Sequence, residues 1–503
     1  MLSYYKHISK LQILTYFLGK GKFGVVQSAT SVKNPDLKVA VKSIRLENIK
    51  SLFHSFASEV YTLKKIDHPN VVNIIEIFRE ESEIHIVMEF IEGVELFRYL
   101  LMSEKFEESK AAIVIRQLVK VVKYINSLGI CHRDIKPENI LFNPKTLQIK
   151  VLDFGMATFF HKKTRLECKC GSPYYIAPEV LDGSYNKECD MWSVGICTYV
   201  ILTNTFPFDP ERLEDLFSAI RYRKIPFFKE DWKNLSKESK KFVEALLQKD
   251  PKKRLTPDEA LTHPFLSDKD GSEFKFNPIF LQKLVTSDSC TPFKKQICAL
   301  IIRHIDSKTR EELEKCFQDL DTEGTGFIKP SQLLLCLEKS KISDSKLDEI
   351  KRSIEFQKDV PIDFSSFMTK VLFLKKKFTE ENIRKVFQEL DQDNLGYVTK
   401  DNMTDYFHRK HSETILEESD EFFQYSRIEK ERELELYKSF CSRTEQVNFE
   451  TFKSYILGPR KEEHNSIPPG NSSGFVFPRS SLKEFKEACS SQKCTEADTE
   501  RSS

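Results

Sequence analysis

Four short motifs follow one another in the first part of the chain, and their order constrains the fold more than any other feature of the sequence. The segment LGKGKFGVV at 18–26 contains Gly19, Gly21 and Gly24, and glycines let backbone N–H groups approach a phosphate without an obstructing Cβ. Alone, such a segment fits an ordinary hairpin turn equally well. HRDIKPEN, DFG and APE follow in that order, and the ordered set favours a phosphate-transfer site over the hairpin alternative.

Residue patterns predict two structurally different regions around these motifs. Short runs rich in β-branched and aromatic residues, such as KVAVKSI, dominate 11–100 and are interrupted by one helical stretch, which predicts a small sheet with a single helix. The pattern over 105–266 is mostly helical. Lys42 falls on a predicted strand and Glu59 on the helix that follows it. Such a lysine–glutamate pair can hold the α- and β-phosphates of a nucleotide.

Residues 11–266 resemble the eukaryotic protein kinase domain through the motifs quoted above. The resemblance implies a two-lobed α+β fold and assigns roles by position. Asp134 would orient the substrate hydroxyl or accept its proton, and Lys136 would neutralise the transferring phosphoryl group. Asn139 and Asp153 would hold magnesium. Catalysis would then rest on positioning and on charge stabilisation.

The same resemblance implies a nucleotide pocket for ATP between the two lobes. Every charged residue that the mechanism requires is present, which favours an active enzyme over the alternative of a kinase fold kept only as an inactive scaffold. The residues expected to bind or position the nucleotide are Leu18, Gly19, Gly21, Gly24, Val26, Ala40, Lys42, Glu59, Met88, Glu89, Ile91, Glu95 and Leu141.

Charged residues near the catalytic loop indicate the substrate class. The lysine in HRDIKPEN is typical of serine/threonine kinases. Glu95 and Glu138 match acidic positions that, in kinases related to the calcium/calmodulin-dependent ones, meet basic residues upstream of the target hydroxyl. Two alternatives stay open, because each can be an ordinary solvated carboxylate and Glu95 can instead contact the ribose. We expect protein substrates with basic residues before the phosphorylated serine or threonine.

The segment between DFG and APE contains candidate regulatory positions. Arg133 precedes the catalytic aspartate and can bind a phosphate on this segment. Thr158 and Thr164 are candidate phosphate acceptors, and Glu167 can substitute for a phosphate. Ser172 is a further hydroxyl in this segment, but the resemblance gives its position a structural role beside the catalytic aspartate and lysine.

Cys168 and Cys170 lie two residues apart in the same segment. A pair with this spacing can be a redox or metal-binding feature. No second pair accompanies it, so the simpler interpretation is two ordinary loop thiols.

From 307 to 457 the sequence repeats an apolar anchor four times. The anchors Ile328, Ile362, Val398 and Val447 are each followed by a polar residue and an apolar helix, which predicts four helix–loop–helix units arranged in two pairs. The longer last interval predicts an insertion near 410–430. The anchors are expected to join the loops of each pair through a short β contact.

A kinase domain followed by a linker helix and four such units resembles the calcium-dependent protein kinases of plants and protists, up to residue 457. In that family the linker is an autoinhibitory segment that calcium-loaded EF-hands engage. Residues 267–306 would be this junction, with a helix at 293–305. Its apolar face, Phe293, Ile297, Leu300 and Ile301, has helical spacing and suits a groove between EF-hands. A helix packed permanently on the kinase is the alternative.

The four calcium loops keep their apolar anchors and lose much of their charge. Calcium binding needs loop oxygens and a bidentate glutamate at position 12, but the residues at position 12 are Gln332, Ser366, Asn402 and Thr451. The second loop also has Val360 where glycine is expected. The candidate ligands are Asp321, Glu323, Thr325, Phe327 and Gln332 in the first loop, and Asp391, Asp393, Tyr397 and Asn402 in the third.

Magnitudes indicate what these substitutions would do. A site with a dissociation constant of about 10⁻⁴ M gains under ~0.1 kcal/mol at about 10 μM calcium, whereas turning a two-state switch fully takes about 5.5 kcal/mol. We therefore expect weakened or lost calcium control. The alternative is a fully calcium-activated sensor kinase in which the first or third loop is rescued by water or a nearby carboxylate.

Composition excludes several other classes. The net charge is +2, which gives no argument for nucleic-acid binding. The 12 cysteines are scattered and predict reduced thiols in a cytoplasmic protein. Residue 2 is Leu2, so no N-myristoylation signal is present, and we expect a monomer without a membrane anchor. Residues 1–10 are read as a short extension and 458–503 as a disordered tail.

Overall fold

The computed structural model describes most of the first two thirds of the chain and parts of the remainder. Several predictions concern residues outside the described ones: Gly21, Thr164, the insertion near 410–430, the tail at 458–503 and the side chain of Phe293. The described residues are 11–20, 24–31, 38–46, 53–80, 82–102, 106–161, 165–266, 281, 284, 292–302, 304–339, 348, 351–352, 361–374, 378–391, 393–399, 402–403 and 446–457.

The described residues of the N-terminal lobe form an antiparallel five-stranded sheet and the helix α1, as the sequence predicts. The strand order is β1-β2-β3-β5-β4, and the β-branched residues Val39 and Val41 are buried on β3. The elements are β1 (Leu11–Lys20), β2 (Val25–Ser31), β3 (Lys38–Arg45), α1 (Phe53–Lys65), β4 (Ile74–Arg79) and β5 (Glu83–Glu89).

The C-terminal lobe is mainly helical and is built around one buried helix, α5, whose residues are nearly all shielded from solvent. Short strands carry the catalytic segments on its surface. The elements are β6 (Val94–Glu95), α2 (Leu96–Met102), α3 (Glu108–Ser127), β7 (Ile130–Cys131), β8 (Ile140–Phe142), β9 (Ile149–Val151), β10 (Thr158–Phe159), α4 (Pro178–Asp182), α5 (Glu188–Thr203), α6 (Leu213–Tyr222), α7 (Lys229–Trp232), α8 (Lys237–Leu246) and α9 (Pro257–Thr262).

The rest of the described chain forms short helices and paired strands of EF-hand type. Ile328 pairs with Ile362 and Val398 with Val447, which confirms the predicted β contacts between loops. The elements are α10 (Pro292–Ile302), α11 (Ser307–Leu320), β11 (Phe327–Ile328), α12 (Pro330–Lys339), β12 (Ile362–Asp363), α13 (Phe364–Leu374), α14 (Glu380–Leu390), β13 (Tyr397–Thr399), β14 (Gln446–Asn448) and α15 (Phe449–Leu457).

The helix α10 packs into the same apolar core as the EF-hand-like lobe, by which we mean residues 307–457. Ile297, Leu300 and Ile301 are fully buried in one cluster with side chains of α13 and α14. His304 Nε2, just after this helix, lies 3.1 Å from a carboxylate oxygen of Glu389 on α14. None of the helices in the described part of the chain combines the length and hydropathy that a membrane span requires.

Candidate active site and calcium loops

The N-terminal lobe brings the predicted nucleotide residues together. Lys42 Nζ donates to Glu59 Oε1 at 2.7 Å, and both residues are buried. A Cβ on Gly24 would overlap the Ser43 carbonyl of the neighbouring strand, so glycine is required there by close backbone approach. The pair fixes α1 against the sheet in the arrangement that nucleotide binding requires.

The strand register explains how the pocket is lined. Val26 is opposite Lys42 across β2 and β3, and Ala40 is opposite Met88 across β3 and β5. On the other side Glu95 of β6 is opposite Leu141 of β8. The remaining positions, Leu18, Gly19 and Ile91, lie on β1 or just beyond β5. The nucleotide contacts themselves stay predictions.

Glu89 differs from the other predicted nucleotide residues because its side chain faces Lys150 of the C-terminal lobe and Arg310 of α11. Its Oε1 accepts from the backbone N–H of Asn73 at 3.0 Å and from Lys150 Nζ at 3.1 Å. Any nucleotide contact from Glu89 therefore comes from its backbone. Burial tends to raise the pKa of this carboxyl, but Lys150 and Arg310 outweigh burial and hold the pKa below its ordinary value.

The catalytic loop holds Asp134 with its carboxylate ionised. Lys136 Nζ lies 2.9 Å from Asp134 Oδ2, and Ser172 donates to Oδ1 from its backbone N–H at 2.9 Å and from its hydroxyl at 2.7 Å. Burial alone would raise the pKa of Asp134, but the hydrogen bonds from Lys136 and Ser172 lower it below the ordinary value. These contacts give Ser172 the expected structural role beside Asp134 and Lys136.

The residues expected to hold magnesium fit a cation by their donor chemistry. Asn139 Nδ2 donates to the Asp134 carbonyl at 2.9 Å, so the amide oxygen is the atom of Asn139 that can coordinate a metal. Asp153 has φ 51, and its Oδ1 accepts from Gly155 N–H at 3.1 Å, which fixes the carboxylate. A carboxylate and an amide oxygen are ligands that magnesium prefers.

Two further buried residues organise this site, although no motif identified them. Asp190 accepts from the backbone N–H groups of His132 and Arg133, each at 2.8 Å, and so holds the catalytic loop on α5. Arg254 makes a bidentate pair with Glu179, at 2.6 and 2.9 Å. Asp190 is the single aspartate in the otherwise mostly apolar stretch ECDMWSVGICTYV. Since charged residues are rarely fully buried without a partner, its position could have indicated a structural partner.

Arg133 is hydrogen-bonded to the segment between DFG and APE, here called the activation segment, and to Tyr185 just beyond it. Its Nε donates to the Met156 carbonyl at 2.6 Å and its Nη1 donates to the Tyr185 hydroxyl at 3.1 Å. Thr158 pairs with Cys131 in a short ladder between β10 and β7, and Glu167 is exposed. Phosphate binding at Arg133 stays a prediction.

The acidic positions expected to face substrate lie close together. Burial raises the pKa of Glu95. Burial also raises the pKa of Glu138, to which the negative charges of Glu95 and Asp134 contribute. One oxygen of Glu138 is buried without a hydrogen-bond partner among the described residues. Two crowded carboxylates of this kind gain from an incoming cation.

In the first calcium loop the candidate ligands are hydrogen-bonded or ion-paired with other groups of the same loop. Gln332 Oε1 accepts from the Lys329 N–H at 2.8 Å and its Nε2 donates to the Thr322 hydroxyl at 3.3 Å. Lys329 Nζ lies 2.6 Å from Glu323 Oε2, and the Thr325 hydroxyl donates to the Phe327 carbonyl at 3.0 Å. Positions 12, 9, 5 and 3 thus pair internally, and this donor set fits calcium poorly.

The third loop also has a neutral amide, that of Asn402, at position 12 where calcium binding needs a carboxylate. Asn402 Oδ1 accepts from the Thr399 N–H at 3.0 Å, and Asn402 Nδ2 donates to Asp393 Oδ2 at 3.0 Å. Asp391 accepts from the backbone N–H groups of Leu395 and Gly396 at 2.9 and 2.8 Å. Tyr397 supplies the backbone carbonyl position of this loop. The calcium-binding parts of the second and fourth loops, before Pro361 and Gln446, lie outside the described residues.

The first EF-hand-like unit is docked on the C-terminal lobe. Lys120 Nζ donates to the carbonyls of Gln318 and Asp321 at 2.9 and 2.8 Å. Lys123 Nζ donates to the Glu323 carbonyl at 2.6 Å. The backbone of the first loop is therefore held by two lysines of α3.

A buried charge network continues this contact to the connection between the lobes. Lys150 Nζ lies 3.1 Å from Glu89 Oε1 and 3.0 Å from Glu314 Oε1, and Arg310 Nη1 lies 3.2 Å from Glu89 Oε2. Two cations and two anions balance. Burial opposes the charge of Lys150, but Glu314 and Glu89 outweigh burial and raise its pKa.

Comparisons with known proteins agree with this architecture. The protein kinase domain model matches residues 14–266. Calcium-dependent protein kinase 3 of Plasmodium berghei (strain Anka) is 33% identical over 389 residues, which cover 76% of this chain and 70% of that protein. Calcium-dependent protein kinase 33 of Arabidopsis thaliana is 32% identical over 409 residues, covering 79% and 78%. Calcium-dependent protein kinase 19 of Oryza sativa subsp. japonica is 30% identical over 406 residues, covering 79% and 76%.

Proposed function

Since the chain belongs to the calcium-dependent protein kinase family, we propose that this serine/threonine protein kinase works with weakened calcium control. Transfer of phosphate to protein serine or threonine follows from the family. The proposal concerns how activity is set. The observation that carries it is the amide side chain at position 12 of the first and third loops, where a carboxylate is required for strong calcium binding.

The chain's own residues account for the chemistry by positioning. Bound ATP and magnesium supply the phosphoryl group and the cationic charge that offsets its negative charge. Asp134, held ionised by Lys136 and Ser172, accepts a hydrogen bond from the substrate hydroxyl. Lys136 lies beside it to neutralise charge on the phosphoryl oxygens. Glu59 keeps Lys42 aimed at the nucleotide phosphates.

The internal pairing of the first loop supports weak calcium binding. Lys329 already neutralises Glu323, so calcium would have to displace an ammonium group before it gained that ligand. Gln332 keeps the loop joined to α12 by accepting from Lys329 N–H, and it does so without a negative charge. The loop is thus stabilised by the protein's own donors.

The docked position of the lobe supports activity that persists without a calcium signal. Lys120, Lys123 and Lys150 of the C-terminal lobe bind Asp321, Glu323 and Glu314. None of these contacts uses a side-chain oxygen of a candidate calcium ligand, because the loop contributes carbonyls. The same lobe buries Ile297, Leu300 and Ile301 of α10, which keeps the junction helix engaged.

The substrate proposal rests on charge. Burial raises the pKa of both Glu95 and Glu138, and the negative charge of Glu95 raises the pKa of Glu138 further, so a basic side chain upstream of the target hydroxyl is the matching group. A peptide with arginine before the serine should be a better substrate than the same peptide with glutamine.

The test is a calcium titration of the purified full chain on a basic peptide, from excess chelator to about 10 μM free calcium, a span that covers sensor affinities. We expect activity to change less than about twofold. A many-fold rise with a micromolar midpoint would establish the fully calcium-activated sensor instead. Asp153→Ala run in parallel measures background, and equal signals from this variant and the native chain would indicate a scaffold.

A further inference from the structure

The activation segment carries two thiols whose surroundings are linked by one phenol. Cys168 is exposed and Cys170 is half-buried. The Tyr185 hydroxyl donates to the Cys168 carbonyl at 2.6 Å and lies 3.8 Å from Cys170 Sγ. The same hydroxyl accepts from Arg133 Nη1 at 3.1 Å, so the pair is connected to the catalytic loop.

The two thiols also interact with each other. Burial raises the pKa of Cys170, Arg133 acts to lower it, and the neighbouring Cys168 contributes to raising it. Cys168, being exposed, is the thiol that a small oxidant reaches, while Cys170 is positioned behind it. An exposed thiol beside a second thiol is the arrangement that oxidant-responsive pairs use.

We propose that Cys168 and Cys170 form a peroxide-oxidisable pair that closes into a disulfide and lowers kinase activity. The Cys168 thiolate attacks hydrogen peroxide, the O–O bond breaks, and hydroxide leaves, which gives a sulfenic acid. The Cys170 thiolate then attacks that sulfur and displaces a second hydroxide. Two thiols and one peroxide give one disulfide and two waters, so the cysteines lose two electrons and the peroxide gains them.

A disulfide between Cys168 and Cys170 would affect Asp134 through the next two residues, Gly171 and Ser172. Gly171 has φ +122, and a Cβ there would lie 2.9 Å from the Arg133 carbonyl, so this backbone fits tightly against the catalytic loop. Ser172 follows and donates twice to Asp134. Drawing Cys168 and Cys170 together moves Gly171 and Ser172, and with them the partners of Asp134.

A second close pair of thiols in the described part of the chain lacks this exposure. Cys131 Sγ and Cys189 Sγ are 3.5 Å apart, but both residues are buried. Burial raises the pKa of the Cys131 thiol. A buried, protonated thiol reacts slowly with peroxide, so the oxidant response is assigned to Cys168 and Cys170.

The experiment treats the reduced full chain with hydrogen peroxide in chelator, quenches with catalase, and measures activity before and after dithiothreitol. We expect roughly a tenfold or greater loss that dithiothreitol reverses, because a displacement of about 1 Å at reacting groups can cost about 100-fold. The double variant Cys168→Ser/Cys170→Ser should keep the same activity after peroxide treatment as before it. Cys336→Ser, which removes a half-buried thiol elsewhere, should respond like the native chain.

Peptide mapping identifies the bond independently of activity. Trypsin cleaves after Lys169, between the two cysteines, so non-reduced digests of the oxidised chain should contain LECK joined to CGSPYYIAPEVLDGSYNK. In Cys170→Ser the sulfenic acid has no resolving thiol, and dimedone should label Cys168. Equal inactivation of the native chain and the double variant would overturn the proposal. So would absence of the joined peptides, or their formation without loss of activity. Because calcium is held constant, none of these outcomes bears on the proposed calcium control.

Discussion

Lys150 of the kinase domain lies 3.0 Å from the Glu314 carboxylate of the first EF-hand-like unit, across 164 residues of sequence. Both side chains are buried, so this ion pair is shielded from solvent and from salt. It adjoins Glu89, at the connection between the two kinase lobes. The contact therefore joins the EF-hand-like lobe to the segment that connects the two kinase lobes.

We expect Glu314→Gln to loosen this docking. The change leaves the buried Lys150 and the half-buried Arg310 facing one carboxylate, that of Glu89, and removing one partner of a buried ion pair costs about 3–5 kcal/mol. Thermal unfolding should shift downward, and amide exchange across α11 should accelerate. Glu312→Gln is the control, because Glu312 is exposed on the same helix and surface charges contribute little. Similar exchange in both variants would contradict a role for the network.

Gly326 and Gly396 provide a matched test of the same interface. Both adopt the left-handed region, with φ +75 and φ +79, so alanine at either costs about 1–2 kcal/mol of backbone strain. A Cβ on Gly326 would also overlap the Tyr124 ring of α3, whereas no described atom lies within 4 Å of a Cβ placed on Gly396. We expect Gly326→Ala to lower stability further and to expose α3 to amide exchange. Equal effects of the two alanines would show that the contact with Tyr124 is not maintained in solution.

The sequence predicts local geometry well, but it does not predict the interface between the kinase domain and the EF-hand-like lobe. Motif order identifies Lys42 with Glu59 as partners, and the repeat predicts that Ile328 pairs with Ile362. These predictions succeed because a fixed motif or a repeated period sets the spacing. Lys150 and Glu314 belong to no repeat, because they meet only where the kinase domain packs against the EF-hand-like lobe.

A second kind of residue escaped prediction because its role is to position others. Asp190 touches only the backbone of His132 and Arg133 among the catalytic residues, and it belongs to none of the motifs that carry the chemistry. Glu89 was assigned to the nucleotide by resemblance, yet its side chain serves the docked lobe. A backbone contact of Glu89 with the nucleotide stays a prediction, whereas packing against Lys150 and Arg310 determines the role of its side chain.

The pH dependence of catalysis should respond to Ser172. In the native chain the pKa of Asp134 is lowered, so its carboxylate stays ionised to a lower pH than an ordinary aspartate does. Ser172→Ala removes the 2.7 Å hydroxyl donor and raises that pKa. We expect the acidic limb of kcat/KM to move to higher pH, with kcat lower by about tenfold or more because Asp134 is less well positioned.

The measurement for Ser172→Ala is a pH–rate profile that extends from about pH 8 down to about pH 3, because an ordinary aspartate has a pKa of about 3.9. Ser184→Ala serves as the control, because Ser184 is exposed and its backbone N–H, which the substitution keeps, donates to the Glu179 carbonyl. A profile for Ser172→Ala that scales down without moving would show that the hydroxyl positions Asp134 but does not set its ionisation.

A single carboxylate at position 12 should restore calcium binding to the first loop. Gln332→Glu supplies the bidentate ligand that the loop lacks, while Asp321, Glu323, Thr325 and the Phe327 carbonyl are retained. We expect calorimetry to show calcium affinity at least about tenfold tighter than in the native chain, since ligand charge sets EF-hand affinity. Ser331→Glu adds the same charge at an exposed neighbouring position and should leave affinity nearly unchanged. If both variants tighten binding equally, net charge rather than ligand geometry limits the native loop; if neither does, the Lys329–Glu323 pair is what excludes the ion.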